Sequence, residues 1–338
     1  MTRPYVNVSS ENKIKEYMNV FESFSRRLES LEGVIGITLN GGLSRGYGDE
    51  LSEIDLVIYL DSKNFDRWNA GQCPIPVGIA KIEGYLYDIK LVNMDVEKRK
   101  KWEPVALWDL SYARILYDPY GEVHALIKDK LEEKPSPLGA EGSLFSCWWY
   151  FRLAGDIWIH RGDVAQGHYL LNIAVTKLLE TLFVANGEYI PHEKWIVHFS
   201  RTLSWTPEQW ETRLFEAMST GDFSLESLVT RQSAIEKLWE EVDRYIVHKE
   251  CPDLKVKLMQ KYFYEMIACL LREEKLCLEE WEQKAGLSLL STQPFCNFVT
   301  IEDGQILVDW NKALSIRPEE VYDWHYSVLE QVLADMQE

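Results

Sequence analysis

The chain has 338 residues and carries 54 Asp and Glu against 36 Lys and Arg, a formal net charge of −18. This length exceeds that of one typical domain, so two domains are expected. Binding of a nucleic-acid backbone usually requires a basic surface, so this charge disfavours a long RNA or DNA partner. No apolar run reaches the roughly 18 residues of a membrane span, and the six cysteines form no close pair. We therefore expect no membrane contact and a cytoplasmic location.

The first half of the chain alternates helix-like and strand-like patterns. Apolar residues at helical spacing predict a helix over residues 11–31. Strand-like runs follow at 33–40 and 54–60, separated by a loop or short helical turn at 43–50. The later predicted elements are a hairpin over 77–93 that turns at Glu83 and Gly84, a helix end, short strand and turn over 109–118, and a helix over 122–131. This mixture predicts one domain with a mixed sheet and helices, over residues 1–132.

A linker and a helical region are predicted to follow. Residues 132–143 carry two prolines and two glycines among polar residues, as a linker does. Beyond them, long apolar-periodic segments predict an all-helical bundle over residues 143–338, and the complete chain is assigned to the α+β class. Its predicted helices lie within 144–163, 164–187, 207–219, 224–249, 253–273 and 316–336. One stretch, 295–310, breaks the pattern with Asp303 and Gly304 between two strand-like runs, so a small hairpin is expected there.

Three carboxylates are candidate catalytic residues. Glu53 and Asp55 are two residues apart at the start of a strand-like run, so their side chains are expected on one face. Paired carboxylates repel each other unless a cation bridges them, and hard oxygen ligands suit Mg²⁺. Asp88 lies inside another apolar strand-like run and could complete a metal site for displacement at phosphorus. The alternatives are a charged strand edge for the first two residues and a solvated hairpin position for Asp88.

A glycine-rich turn precedes these acids. Gly41 and Gly42 end the first strand, and a turn without side chains lets phosphate approach backbone N–H groups closely. Ser44 could donate a hydroxyl to the phosphates and Arg45 a positive charge. The glycine pair alone is weak evidence. The acid pair that follows it makes a phosphate-binding turn a stronger interpretation.

The stretch NGGLSRGYGDELSEIDLVIYL, residues 40–60, resembles the signature of the nucleotidyltransferase superfamily with the polymerase-beta-like fold. That signature is an apolar strand, a Gly-Gly or Gly-Ser pair, about ten residues, and then acid, apolar, acid, apolar. The order of domains resembles the small-molecule branch, which includes aminoglycoside and lincosamide nucleotidyltransferases. NGEYIPHEKW, residues 186–195, resembles a segment of the helical domain in that branch. The resemblance covers about residues 30–200.

The resemblance implies a role for each matching residue. It implies that Gly41, Gly42 and Ser44 hold a nucleoside triphosphate, that Glu53 and Asp55 bind Mg²⁺, that Asp88 binds metal or accepts a proton, and that Lys194 reaches the nucleotide phosphates. Glu53 departs from the pattern, because the family nearly always has Asp there. The extra methylene moves this carboxylate by about 1 Å, and Mg²⁺ tolerates poor geometry badly.

The expected activity is Mg²⁺-dependent transfer of a nucleoside monophosphate, with ATP as the first candidate donor, to a hydroxyl of a small molecule. The acidic charge of the chain suits a cationic acceptor such as an aminoglycoside. Transfer to a protein or an RNA end is the alternative reaction. A catalytically weak or inactive protein that binds a nucleotide or a protein partner is the alternative from another class. The sequence leaves the oligomeric state open.

Overall fold

A computed structural model of the protein describes residues 8–272, 276–292, 295–315, 328, 331–332 and 334–335. The chain forms two compact units. The first comprises Met1–Pro137 and Leu179–Phe215, and the second comprises Leu138–Leu178 and Glu216–Glu338.

The strands over these residues, in chain order, are β1 (Val34–Leu39), β2 (Ile54–Leu60), β3 (Gly78–Ile82), β4 (Tyr85–Asn93), β5 (Arg114–Tyr117), β6 (Leu276–Cys277), β7 (Val299–Glu302) and β8 (Gln305–Val308). The α-helices are α1 (Ile14–Glu29), α2 (Gly41–Ser44), α3 (Ser62–Arg67), α4 (Met94–Arg99), α5 (Pro104–Leu110), α6 (Glu122–Lys130), α7 (Glu141–Trp148), α8 (Ala154–Arg161), α9 (Val164–Ala185), α10 (Glu193–Ser200), α11 (Trp210–Met218), α12 (Leu225–Glu250), α13 (Lys261–Arg272), α14 (Leu278–Ala285), α15 (Phe295–Phe298) and α16 (Trp310–Ser315). Short 3-10 or π-helical turns lie at Trp68–Gln72, Pro137–Ala140, Trp149–Leu153, Leu258–Gln260 and Leu287–Ser291.

The first unit is built on a five-stranded mixed sheet with the spatial order β3-β4-β2-β1-β5. The central strands β2 and β4 run parallel, whereas the other neighbouring pairs are antiparallel. The predicted α+β class is confirmed, and the strands predicted at 33–40 and 54–60 are β1 and β2. The stretch at 43–50 begins in the short helix α2 and continues as a loop.

The predicted hairpin over 77–93 is formed by β3 and β4. Its two connecting residues, Glu83 and Gly84, have φ angles of 52° and 93°. Two positive φ angles in succession give the tight turn whose twist matches that of antiparallel strands. The hairpin turn was therefore predicted at the correct residues.

Alternation along β2 separates the core from the open face of the sheet. Ile54, Leu56 and Ile58 are completely buried, in one cluster with the apolar face of α1. Val57 packs on the other face with the cluster that includes residues of α4 and α6. Since successive side chains of a strand point to opposite faces, Asp55 lies on the face of Val57, away from α1.

The second unit is mainly helical and contains one small sheet. Within it, the indole Nε1 of Trp239 on α12 donates to the carbonyl oxygen of Leu144 on α7 at 2.9 Å. The sheet is antiparallel with the order β6-β8-β7, so the predicted all-helical bundle needs this correction. The predicted Asp-Gly hairpin joins β7 to β8, with φ angles of 48° at Asp303 and 74° at Gly304.

The two compact units do not divide the chain at the predicted domain limits. The first segment of the first unit ends at Pro137, within the predicted linker, but residues 179–215 group with that unit rather than with the helical region. The helices predicted at 207–219, 224–249 and 253–273 correspond to α11, α12 and α13. The one predicted at 316–336 lies almost entirely outside the described residues. Among the described helices, none is long and apolar enough to cross a membrane.

Asp243 on α12 is a buried carboxylate of the second unit. Its side chain is 6% exposed, and its Oδ1 accepts a hydrogen bond from the backbone N–H of Leu258 at 2.9 Å. Burial raises the pKa of Asp243 to about 6 from an ordinary 3.8. The folded protein therefore holds this proton more tightly than the unfolded chain, so ionisation of Asp243 opposes folding as the pH rises from about 4 to above 6.

We predict that Asp243→Asn stabilises the protein above pH 6. The amide keeps an oxygen acceptor for Leu258 and removes the charge, so the gain reaches at most about 3 kcal/mol at pH 7 to 8. The gain shrinks toward pH 4, where the wild-type carboxyl is protonated in the folded state. Urea unfolding at several pH values measures it, with Asp253→Asn at an exposed position as the control. A difference in the free energy of unfolding that does not change with pH would contradict the prediction.

Candidate active site

The candidate site is a cavity of about 650 Å³ in the first unit. Seven of the eight residues predicted from the sequence line it, and these are Gly41, Gly42, Arg45, Glu53, Asp55, Asp88 and Lys194. Asn40, Lys90, Trp108, Asp109, His192 and Trp195 also belong to its wall. A cavity of this size is in the range that holds nucleotides and other small molecules.

Asp55 and Asp88 are brought together by the parallel pairing of β2 and β4. Their Cα atoms are direct partners in the register of the two strands, and both side chains border the cavity. Glu53 comes just before β2 and also lines the cavity. The three acids predicted from the sequence therefore line one cavity, and their predicted roles stay predictions.

The pKa of Asp55 is raised by its surroundings. Burial raises its pKa to about 6, and the charge of Glu53 is the next largest cause. Asp109 and Asp88 raise this pKa further, whereas the ammonium group of Lys90 lowers it. A carboxylate that is both desolvated and surrounded by like charges gains from any cation that enters the cavity.

The three predicted metal ligands do not form a ready-made metal centre. Over the described ranges, no group of three or more His, Cys, Asp or Glu side chains is placed to hold a metal ion. In addition, Nζ of Lys90 forms an ion pair with Oδ2 of Asp88 at 3.0 Å. The side chains of Asp88 and Lys90 share a face because they are two residues apart on β4. A lysine thus binds the acid that was expected to complete the metal site.

Gly41 is fitted against the Asp55 carboxylate. Its φ is +67°, and a Cβ atom at this position would lie 1.8 Å from Oδ2 of Asp55. The backbone N–H of Asn40 donates to the Asp55 carbonyl oxygen at 2.9 Å, which holds the two segments together. Gly42 is less constrained, since the nearest atom to its Cβ would be the carbonyl oxygen of Tyr47 at 3.4 Å. Only the first glycine of the pair is required by the fold.

Ser44 does not line the cavity. Its side chain is buried, and its hydroxyl donates to the carbonyl oxygen of Gly41 at 2.9 Å. The structure therefore gives it the role of holding the glycine turn, and the phosphate contact expected from the sequence is not supported.

Arg45 borders the cavity but its charge is already compensated. Its side chain is only 3% exposed and forms an ion pair of 2.8 Å with Asp109. The guanidinium carbon lies 4.2 Å from the ring centre of Trp108, 5.5 Å from that of Tyr112 and 5.6 Å from that of Trp195. Such a cation–π cage stabilises a buried cation. Arg45 therefore organises the wall of the cavity, and the predicted phosphate contact would require it to leave this cage.

Asp109 and Asn40 are functional candidates that the sequence analysis missed. Asp109 accepts hydrogen bonds from Arg45 and from Nδ2 of Asn40, each at 2.8 Å. The Asn40 Oδ1 accepts in turn from the hydroxyl of Thr38 at 2.8 Å. This network fixes the residue immediately before the glycine turn. Asp109 is 64 residues from Arg45, and nothing in the local sequence indicates the pairing.

Lys194 lines the cavity from helix α10. Its side chain is exposed, and its backbone N–H donates to Nδ1 of His192, the residue that caps the helix, at 3.2 Å. Lys194 thus lies at the cavity wall, and the contact with nucleotide phosphates that the resemblance implies for it stays a prediction.

Comparison with solved structures finds similarity to the crystal structure of a nucleotidyltransferase-like protein from Exiguobacterium sibiricum 255-15. The sequence identity is 13% and the TM-score is 0.40, over 81% of this chain and 87% of that chain. No family model matches the chain, and no curated protein matches it.

We predict that the two adjacent glycines respond differently to alanine. Gly41→Ala places a methyl group on the Asp55 carboxylate at an unfavourable φ and is expected to lower the free energy of unfolding by about 2 kcal/mol or more. Gly42→Ala has room for its methyl group and is expected to change the free energy of unfolding by no more than about 0.5 kcal/mol. Urea denaturation of both variants measures the contrast, and equal losses would refute it.

Proposed function

We propose that the first unit binds a nucleoside triphosphate with Mg²⁺ and transfers its nucleotide to a hydroxyl of a small-molecule acceptor. ATP is the first candidate donor. The observation that carries the proposal is the pairing of Asp55 with Asp88 beside a glycine turn, in a cavity of about 650 Å³. The sequence signature over residues 40–60 supports the same reading.

The charges of the cavity wall suit a metal-bound polyphosphate. Carboxylates gather at Glu53 and Asp55, where an added cation would be stabilised. Lys90 and Lys194 supply ammonium groups for phosphate oxygens. At Gly42 an anion could approach the backbone without meeting a side chain, whereas Gly41 is covered by the Asp55 carboxylate. The wall therefore offers carboxylates for Mg²⁺ and ammonium groups for the triphosphate.

The carboxylate oxygens of Glu53 and Asp55 suit Mg²⁺, so two carboxylates would bind the ion where the sequence predicted three. Mg²⁺ is usually bound by one or two protein carboxylates together with substrate phosphates and water. Asp55 and Glu53 would hold it here, because Asp88 is engaged by Lys90. When bound, the ion would neutralise charge on the triphosphate.

The residues of the chain would then orient the reactants. The acceptor oxygen forms a bond to the α-phosphorus while the bond from that phosphorus to the bridging oxygen breaks, and pyrophosphate leaves. Asp88 would accept the hydroxyl proton through its second carboxylate oxygen. Lys194 would hold the phosphates of the donor. Positioning and charge neutralisation supply most of the rate enhancement in such a reaction.

The acceptor is proposed to be a small cation. Six carboxylates border the cavity, those of Asp49, Glu53, Asp55, Asp88, Glu103 and Asp109, and the complete chain is strongly acidic. An aminoglycoside is one compound of this class. A protein or an RNA end is the alternative acceptor.

A second candidate function is nucleotide or partner binding without transfer. The ion pair between Lys90 and Asp88 favours it, because this pair removes the third acid from the metal set. Glu in place of Asp at position 53 points in the same direction, since it alters the reach of a metal ligand.

Calorimetric titration with ATP, with and without Mg²⁺, tests the proposed site. We predict that Asp55→Asn weakens Mg²⁺-dependent ATP binding at least about tenfold, equal to about 1.4 kcal/mol, because a charged ligand is lost. Asp66→Asn, at an exposed position on α3, is the control and should bind as the wild type does. Absence of ATP binding in the wild type would refute both candidate functions that involve a nucleotide.

Release of pyrophosphate separates transfer from binding. The assay uses ATP and a panel of hydroxyl acceptors that contains an aminoglycoside, a lincosamide, an RNA and a protein. Release that requires one acceptor and disappears in Asp55→Asn supports transfer. Binding of ATP without release across the panel supports the second candidate.

A further inference from the structure

Lys90 occupies a central place among the carboxylates of the cavity. It follows Asp88 by two residues on β4, so the two side chains lie on one face and form the ion pair of 3.0 Å. Its Cα partner on β2 is Val57, two residues after Asp55 on the same face. The ammonium group therefore reaches back along the strands toward the paired acids.

The electrostatics show that Lys90 acts on more than Asp88. Burial alone would lower the pKa of Lys90, but the hydrogen bond to Asp88 and the charges of Asp88, Asp55 and Asp109 outweigh it and raise that pKa. Lys90 in turn affects the pKa of Asp55 more than either Asp109 or Asp88 does. One ammonium group thus compensates several carboxylates.

We propose that Lys90 is the built-in cation of this cluster, so that the site takes one divalent ion, at Asp55 and Glu53, and none at Asp88. In this respect the inference rests on the proposed function, which requires a metal-bound nucleotide. An ammonium group has three donor hydrogens. One is directed to Asp88, and the other two remain for phosphate oxygens of the donor.

There is a chemical reason for a lysine in the place of a second metal ion at Asp88. A strand that places a lysine two residues after the third acid supplies a positive charge without having to strip water from a second Mg²⁺. A lysine carries a single positive charge, so Lys90 would polarise phosphate less than a second divalent ion at Asp88 would. Lys90 is therefore expected to position phosphate, in contact with the substrate, while the divalent ion does most of the charge neutralisation.

Counting bound Mn²⁺ by electron paramagnetic resonance tests this assignment without activity. The probe is Mn²⁺ alone, titrated into the wild type, Lys90→Met, Lys90→Arg and the double variant Lys90→Met with Asp88→Asn. Lys81→Met, which removes an exposed lysine of the neighbouring strand β3, is the matched control. Lys90 is 63% exposed, so its replacement is expected to leave the fold intact, and circular dichroism checks this.

We expect Lys90→Met to bind one more Mn²⁺ per chain than the wild type, because Asp88 becomes available. The double variant should lose the added ion, and Lys90→Arg and Lys81→Met should match the wild type. Two Mn²⁺ bound to the wild type, or no added ion in Lys90→Met, would overturn the assignment. Repeating the titration with ATP separates the two proposals: an added ion in Lys90→Met without ATP binding supports the role of Lys90 and refutes the proposed function.

Discussion

The candidate site depends on the contact between the Asp55 carboxylate and the backbone of Gly41. It places a partly buried negative charge against a segment of chain that has no side chain. The carboxylate cannot turn toward the core, because the neighbouring residues Ile54 and Leu56 fill that side of the sheet. Its pKa is raised by this burial and by the charge of Glu53. The first unit thus maintains a concentrated negative charge that an added cation would relieve.

A second layer of contacts keeps the glycine turn in place. Asn40 is hydrogen-bonded through both its side-chain atoms, to Thr38 on one side and to Asp109 on the other. Asp109 is held by Arg45, whose guanidinium is enclosed by aromatic rings from α5 and α10. The Arg45 side chain is buried and Asp109 is partly exposed, so removal of Asp109 would leave a buried positive charge without this partner. The acids at the cavity wall and the turn that faces them are therefore set in one rigid frame within the first unit.

The sequence predicted the local elements well and the longer-range contacts poorly. The turns at Glu83 and Gly84 and at Asp303 and Gly304 were predictable because those residues accept positive φ angles. The proximity of Asp55 and Asp88 was expected from the sequence, since each is an acid within an apolar strand-like run. The ion pair of Arg45 with Asp109 was not, because 64 residues separate the two partners. The pair of Asp88 with Lys90 is local, and strand alternation places both side chains on one face, but it was missed. A charge pattern shows which residues can pair, but the partner is decided by which side chains the fold brings within about 4 Å. The phosphate contact predicted for Ser44 is not supported, because its hydroxyl donates to the Gly41 carbonyl oxygen within its own turn.

Residues 179–215 group with the first unit, so the cavity of that unit is completed only after these residues are synthesised. Trp195 and Lys194 belong to α10, which ends at Ser200, whereas the sheet and the glycine turn are complete by Tyr117. During synthesis, the strands could pair long before α10 leaves the ribosome. Until then Arg45 would lack one of its aromatic neighbours and the cavity one of its walls. A fragment that stops at the linker would therefore present an open, half-built binding surface, and the guanidinium of Arg45 would be left exposed to water on that side.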